Sequence, residues 1–362
     1  MKTTTAPPAS DLVDQADRPG RVGYAAAGWA AAYGTLALGW TITGQGFPFG
    51  RGDPDNAASL LRQLAPEVGA PALAGLLLTA AVAALAMAGR HAAWLRGAPR
   101  ALLLIYGYAV AALLLVVVPD VSLLMLAGYA PMLIIGAPFG WPPVDYAEVF
   151  TWSIGNKAFA VLGGLLLARA TLAWQRRTGG ACLACGRGPG AAGWTSAAAA
   201  ARWGRWAVGV AAVIPTLYAV SRFAWLAGIP LGITDEMLRD MQDTGLVWGG
   251  AGLGAFGLVG AVLTLGLVQR WGEVFPRWLV GLAGRPVPVR LAVIPASLVA
   301  VLVTAGGLAV YSAPSGFADI DAHGVAMLPM LLWPLWGVAL ALAAWAYHLR
   351  RRGACGRCGQ TA

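Results

Sequence analysis

Residues 101–119, ALLLIYGYAVAALLLVVVP, form an apolar stretch that contains no charged side chain. Because an α-helix rises about 1.5 Å per residue, about 20 such residues cross the hydrocarbon core of a bilayer. Other long and largely apolar runs lie on both sides of this stretch, at residues 23–44, 70–89, 149–168, 206–228, 246–267, 291–311 and 326–347. The sequence therefore predicts an all-α membrane protein with eight transmembrane helices.

The overall composition supports a membrane protein. Hydrophobic residues make up 58% of the 362 residues and charged residues 11%, and the mean hydropathy is +0.67. Soluble domains have about 25% charged residues, because they must cover a surface that faces water. This composition excludes a soluble globular protein. It predicts that the chain lies in a lipid bilayer, which in a cell is the plasma membrane.

Charged residues assign the two sides of the predicted bundle. Twenty of the 25 Lys and Arg residues fall in the termini and loops of one side, and 12 of the 16 acids fall in the loops of the other. Cytoplasmic loops are enriched in Lys and Arg, so both chain ends are predicted to be cytoplasmic, with residues 1–22 as a disordered tail and no cleaved signal peptide. The formal charge of +9 then reflects contact with anionic lipid and requires no nucleic-acid partner.

Two segments far apart in the chain match each other. Residues 172–186, LAWQRRTGGACLACG, align without gaps on residues 345–359, WAYHLRRRGACGRCG. The spacing of Tyr33 and Trp40 in the first helix recurs in Tyr218 and Trp225 of the fifth. The chain is therefore predicted to form two tandem parallel four-helix repeats, at residues 23–187 and 206–358, joined by a cytoplasmic linker at residues 188–205.

One further apolar segment complicates this count. Residues 121–142 could also cross the membrane, but a ninth crossing would place the later arginine-rich segments on the opposite side. This segment is therefore predicted to be re-entrant or interfacial, broken at Gly128 and Pro131. Asp145 and Glu148 then fit a capping box that opens the fourth helix.

Three of these motifs also carry a family resemblance. They are GYAPMLIIGAPFGWPPVD at residues 128–145, the Tyr33–Trp40 spacing, and RRTGGACLACGR at residues 176–187. With them the chain resembles a group of uncharacterised multi-pass membrane proteins from high-GC actinobacteria. The resemblance implies the eight-helix layout, and it implies no activity and no catalytic residues.

All four cysteines lie in two CxxCG turns, Cys182/Cys185 and Cys355/Cys358, on the predicted cytoplasmic side. Structural disulfides are rare in that reducing compartment, whereas two CxxC turns can supply the four thiolates of a tetrahedral zinc site. A structural zinc would join the two repeats at their cytoplasmic ends. The same arrangement also fits a redox dithiol, or four thiols that never meet.

Two cations fall inside predicted helices, where charge is costly and therefore indicates function. Lys157 and Arg222 are not duplicated, since Met330 and Ala37 occupy the matching positions of the other repeat. They predict a pocket for a small anionic or lipid ligand, with these further lining residues: Asp145, Glu148, Tyr33, Tyr218, Trp40 and Trp225. The alternative is structural pairing, of Arg222 with Asp235 or Glu236 and of Lys157 with Asp145, Glu148 or loop carbonyl groups.

The sequence leaves three functions open. The first is binding or transport of a small anionic or amphipathic ligand through a cavity in the outer half of the protein. The second is a membrane-embedded, lipid-linked transferase that uses Asp53 and Asp55 of the first outer loop and requires a metal. Separately, Asp319, Asp321 and His323 could bind a hard divalent ion, but turn-forming aspartates beside Gly and Pro also explain both motifs. The third is a non-catalytic scaffold or a metal or redox sensor that acts through the cysteine turns.

Overall fold

The computed structural model describes residues 20–53, 56, 59–89, 95–140, 145–188, 193–312 and 328–360. The protein is 76% helical, and the described residues contain no β-strand. The predicted tail up to residue 19, together with Asp55, Asp319, Asp321 and His323, lies outside the described residues.

We number the helices α1 to α12 along the described chain. The first six are α1 (Arg21–Thr43), α2 (Pro66–Ala88), α3 (Gly97–Ala112), α4 (Val121–Gly136), α5 (Tyr146–Val149) and α6 (Trp152–Thr178). The others are α7 (Ala197–Leu226), α8 (Asp235–Asp243), α9 (Leu246–Gly266), α10 (Val289–Ser312), α11 (Leu328–Leu331) and α12 (Trp333–Arg351). A π-helical turn, Leu113–Val117, extends α3.

Seven helices of the described chain are long and apolar enough to cross a membrane. They are α2, α3 with its π-helical turn, α4 with the short turn that follows it, α6, α7, α9 and α10. Six of them match predicted crossings. The predicted first and last crossings are helices as well, but α1 and α12 are not among the seven. The chain is therefore consistent with a multi-pass membrane protein, and the count of eight crossings stays a prediction.

Hydrogen bonds show which helix ends lie together. In the first half, Gly20 at the start of α1 donates to Ala88 at the end of α2 (3.3 Å), and Arg100 in α3 donates to Thr178 at the end of α6 (2.9 Å). In the second half, Arg351 of α12 donates to the Val287 carbonyl oxygen just before α10 (3.0 Å). Both cysteine turns follow these ends, which we call the cysteine end of the protein.

Small residues allow the helices to approach closely. Gly163 of α6 lies against the indole ring of Trp29 in α1, where a Cβ atom would come within 2.0 Å of the ring. Gly337 of α12 lies against Thr304 of α10, where the corresponding distance is 2.1 Å. Close contact between helix backbones is the usual source of attraction in lipid, where burial of apolar surface drives little association.

Helix α4 differs from the prediction for this segment. It continues through Gly128 and Pro131 without a break, because a proline removes only one backbone hydrogen bond from a helix. Leu124 contacts Gly306 of α10, and Tyr129 lies near Gly249 at the start of α9. Helix α4 therefore packs between the two halves of the protein.

The prediction that Asp145 and Glu148 open the helix that carries Lys157 is also wrong. Asp145 accepts a hydrogen bond from the Ala147 N–H and caps the short helix α5. Helix α6 begins at Trp152 and is capped by Thr151, whose side chain accepts from the Ile154 N–H. Lys157 thus lies five residues into α6, about 8 Å from its start along the axis.

Candidate functional site

The four cysteines come together at the cysteine end. All four sulfur atoms lie within 4.8 Å of one another, with 3.9 Å between Cys182 and Cys355 and 3.6 Å between Cys185 and Cys358. A tetrahedral zinc site with Zn–S bonds of about 2.3 Å places its sulfur atoms about 3.8 Å apart. The four thiols are free, and their spacing fits one metal ion.

The two cysteine turns have the same backbone geometry. In the first turn, Gly186 N–H donates to the Cys182 carbonyl oxygen (2.7 Å), and in the second Gly359 N–H donates to that of Cys355 (2.8 Å). Both glycines have positive φ, 73° and 69°. A side chain is strained in this left-handed conformation, which explains why glycine follows the second cysteine of each turn.

The local surroundings give the cysteine thiols different pKa values. Backbone N–H groups of Cys358 and Arg357 point at the Cys355 sulfur and lower the pKa of its thiol to about 6. Burial raises the pKa of Cys358 to about 12 and also raises that of Cys185. A bound metal ion favours the thiolate at every position, because the thiolate is the metal ligand.

Arginine side chains connect the two turns. Arg187 is buried and donates to the carbonyl oxygens of Gly353 (3.1 Å) and Gln360 (2.6 Å) beside the second turn. Arg352 donates in return to the carbonyl oxygen of Cys185 (3.3 Å). These guanidinium groups hold the two turns together, and they would offset the two net negative charges of four thiolates on one divalent cation.

A second cluster surrounds Lys157 at the opposite end of the helices. Its ammonium nitrogen lies 2.7 Å from Asp53 Oδ2 and 2.6 Å from Asp120 Oδ2, and it donates to Ser122 Oγ at 3.3 Å. The three charged side chains are 1–2% exposed. We call Asp53, Asp120 and Lys157 the charged triad.

An aromatic cluster packs beside the charged triad. Tyr33, which is 1% exposed, donates its hydroxyl to Asn156 Oδ1 at 2.9 Å, and Asn156 directly precedes Lys157 in α6. The rings of Tyr33 and Trp40 meet edge to face at 5.9 Å. These aromatic residues fill the core of the first half, and Lys157 is neutralised by carboxylates.

Arg222 has different surroundings. Its side chain is 9% exposed and its guanidinium carbon lies 4.4 Å from the ring centre of Tyr218 and 4.0 Å from that of Trp225. One terminal nitrogen lies 3.9 Å from the sulfur of Met330. No carboxylate of the described residues is within ion-pair distance of Arg222.

Two further contacts surround this arginine, and we call the side chains that meet here, Arg222, Tyr218, Trp225 and Trp333, the Arg222 cluster. Gly250 and Gly254 of α9 lie against the Arg222 side chain and leave room for it. The ring of Trp333 meets that of Tyr218 at 6.0 Å, and the buried Trp333 indole N–H has no hydrogen-bond partner in the described part of the chain. The cluster therefore contains one cation and one buried N–H donor without a hydrogen-bond partner among the described residues.

Comparison with protein-family models, curated proteins and solved structures finds no match. The chemistry of the three sites is thus the basis for any functional inference.

The predicted ligand-binding residues divide into three groups. The structure brings Tyr218, Trp225 and Arg222 together in the Arg222 cluster. It places Tyr33 and Trp40 near Lys157, in a packed core. Asp145 and Glu148 are exposed on the segment before α6 and contribute to neither arrangement.

The structural pairings proposed as alternatives are both different from the observed ones. Lys157 pairs with Asp53 and Asp120 in place of Asp145 or Glu148. Arg222 stacks on aromatic rings, while Asp235 and Glu236 are exposed at the start of α8. Lys157 meets side chains from distant segments of the chain, whereas Arg222 stacks on two rings of its own helix α7.

Sequence reasoning did not connect Asp120 and Ser122 with Lys157. Asp120 caps α4, accepting from the backbone N–H of Ser122 (3.0 Å) and from its hydroxyl (2.5 Å). An aspartate directly after an apolar run and two residues before a serine is a helix-start pattern. That pattern predicts that Asp120 lies at the start of a helix, but it does not predict that Asp120 pairs with Lys157.

Proposed function

We propose that this protein binds, or carries across the plasma membrane, a small anionic or amphipathic ligand at the Arg222 cluster. One observation carries the proposal: a guanidinium group is buried between two aromatic rings with no carboxylate of the described residues within ion-pair distance. A buried charge normally has a partner. An anionic ligand supplies one here.

The chemistry of the Arg222 cluster favours a phosphate group as the anion. Arginine presents a planar set of N–H donors that matches phosphate oxygens in pairs, and it keeps its charge in apolar surroundings. Trp225, Tyr218 and Trp333 add apolar ring surface beside the cation. A phosphate on a lipid headgroup and free phosphate share this chemistry.

We further propose that the chain forms two tandem parallel four-helix repeats with eight crossings and cytoplasmic ends. The packing of the helices supports it, since α1 packs on α2 and α6 in the first half and α7 packs on α9 and α12 in the second. Arginines gather at the cysteine end, as cytoplasmic loops require. In this arrangement α4 starts and ends on the outer side and lies between the repeats.

The four cysteines, in this proposal, bind one structural zinc ion that joins the cytoplasmic ends of the repeats. The sulfur–sulfur distances support it, as does the thiolate preference of zinc. A metal or redox sensor is a second candidate, favoured by the four free thiols and by the lowered pKa of Cys355. The transferase hypothesis loses support, because the Asp53 carboxylate that would bind its metal is already paired with Lys157.

Binding of phosphate-bearing probes tests the proposed ligand site at the Arg222 cluster. The purified protein in phosphatidylcholine nanodiscs is incubated either with radiolabelled inorganic phosphate or with phosphatidylglycerol. We expect Arg222→Gln to weaken binding by about tenfold or more, because a charge-assisted hydrogen bond contributes about 1.5–3 kcal/mol. Retention is measured by equilibrium dialysis for phosphate and by native mass spectrometry for the lipid.

The matched control is Arg239→Gln, which removes an exposed arginine from α8. This variant is expected to bind like the wild type. If both probes bind, free phosphate is sufficient as the ligand. If only the lipid binds, the ligand is the phosphate of a lipid headgroup. The proposal is wrong if neither probe binds, or if Arg222→Gln binds as tightly as the wild type.

A further inference from the structure

The loop between α9 and α10, residues 267–288, carries an exposed apolar surface. Within it, Trp278 is 77% exposed, Val280 is 96% exposed and Leu282 is 40% exposed. We call these three residues the loop tip. Large apolar side chains that are exposed so close together indicate a surface that contacts another molecule or a membrane.

The base of this loop is held against the end of α12. The Tyr347 hydroxyl donates to the carbonyl oxygen of Gly272 at 2.7 Å. The carboxylate of Glu273 lies 3.4 Å from a terminal nitrogen of Arg350 and 3.8 Å from one of Arg351. The loop is therefore attached to the cysteine end of the protein.

Backbone hydrogen bonds give the rest of the loop a defined conformation. The N–H of Phe275 donates to the carbonyl oxygen of Arg285 (2.9 Å), and the N–H of Gly284 donates to that of Phe275 (3.0 Å). Within the tip region, the N–H of Ala283 donates to the carbonyl oxygen of Leu279 (2.9 Å). Because the loop is already ordered, binding through its tip loses little conformational entropy.

The charge around the loop tip is positive. Residues 267–288 include three arginines and one acid. The acid, Glu273, is paired with arginines of α12 at the base of the loop. Arg277 and Arg285, which precede and follow the tip in the chain, are both exposed. The exposed part of the loop therefore attracts anionic groups.

The position of the loop and its chemistry together fit a lipid surface. Helices α9 and α10 are both long and apolar enough to cross a membrane, so the loop that joins them lies close to the lipid headgroups. Tryptophan side chains favour the headgroup region, and arginines beside them are attracted to anionic lipid. Binding to a lipid surface requires apolar area and positive charge, and it requires no partner of matching shape.

We propose that the α9–α10 loop binds the surface of an anionic phospholipid bilayer. The loop tip inserts among the headgroups, and Arg277 and Arg285 contact the phosphate groups. This contact holds the ends of α9 and α10 at the membrane surface on the side of the cysteine turns. It involves other residues than the proposed ligand site at the Arg222 cluster.

Hydrogen–deuterium exchange of the full-length protein in nanodiscs tests this contact. Nanodiscs of phosphatidylcholine are compared with nanodiscs of an equal mixture of phosphatidylcholine and phosphatidylglycerol. We expect the amides of residues 277–283 to exchange about fivefold more slowly, or slower still, in the mixture, since one arginine near an anionic surface contributes about 1 kcal/mol. Combining Arg277→Gln with Arg285→Gln should remove most of this difference. Trp278→Ala should reduce it, because the indole ring no longer anchors the tip.

A second double variant, Arg202→Gln with Arg205→Gln, serves as the control. It removes the same number of exposed arginines from α7 and should keep the wild-type difference. The proposal is overturned if residues 277–283 exchange at one rate in both lipids, whether fast, as in water, or slow, as beneath another protein. It is also overturned if the loop double variant keeps the wild-type difference. Arg222 is unchanged in every protein compared, so failure here is distinct from failure of ligand binding there.

Discussion

Lys157→Met is expected to lower the free energy of unfolding by about 3–5 kcal/mol, the cost of breaking a buried ion pair by removing one partner. Methionine fills a similar volume, so little packing is lost. The variant leaves Asp53 and Asp120 buried without the ammonium group that lies within 2.7 Å of both. Unfolding in detergent with increasing sodium dodecyl sulfate, followed by tryptophan fluorescence, measures the change.

A triple variant separates charge from packing in this experiment. Adding Asp53→Asn and Asp120→Asn to Lys157→Met removes both carboxylate charges, so most of the lost stability should return. The stabilising role of the triad is contradicted if Lys157→Met unfolds like the wild type, or if the triple variant is no more stable than Lys157→Met alone.

Cys182→Ser is expected to lower the zinc content of the purified protein by more than about tenfold from one ion per chain, because a structural zinc site depends on its complete ligand set. Cys355→Ser, in the other repeat, should have the same effect. Equal losses follow only if the two turns share one ion. Inductively coupled plasma mass spectrometry of protein purified without added metal measures the zinc content.

His348→Ala is the control for this experiment. His348 belongs to the last turn of α12, and the cluster of four possible metal-binding residues at this end consists of the cysteines alone among the described residues. The variant should keep its zinc. Full zinc content in Cys182→Ser, or loss of zinc in His348→Ala, would show that the ligand set is different.

The cysteine site is the feature that the sequence predicts best. Two identical CxxCG spacings specify two local turns, and Gly186 and Gly359 specify their backbone conformation. The meeting of the turns depends on the helices that precede them, which the matching arginine-rich helix ends also indicate. The duplicated motif therefore predicts both the conformation of each turn and the contact between the two turns.

The surroundings of the two buried cations were less predictable. The cost of burying Lys157 indicates that it has partners, but nothing local selects Asp53 and Asp120 over Asp145, because all four lie in different segments. In the second half, helix periodicity places Tyr218 and Trp225 on the same face as Arg222. That prediction needs no tertiary information, and the three residues are in contact.

Helix α4 shows the limit of reading proline and glycine as breaks. Pro131 and Gly128 both favour interruption in water, yet the segment is a continuous helix from Val121 to Gly136. In apolar surroundings each unpaired backbone group is costly, and a break in the helix would leave several unpaired. The helix therefore continues and loses only the one hydrogen bond that proline cannot donate. The seven candidate crossings consequently include a helix that the charge pattern had set aside.

The central claim is that cysteines from two turns 173 residues apart in the chain bind one metal ion. X-ray absorption at the zinc K-edge tests it most directly on the purified full-length protein. Four sulfur ligands at about 2.3 Å are the expected result. A shell of two sulfur atoms with nitrogen or oxygen ligands would mean that each turn binds separately, and would contradict the claim.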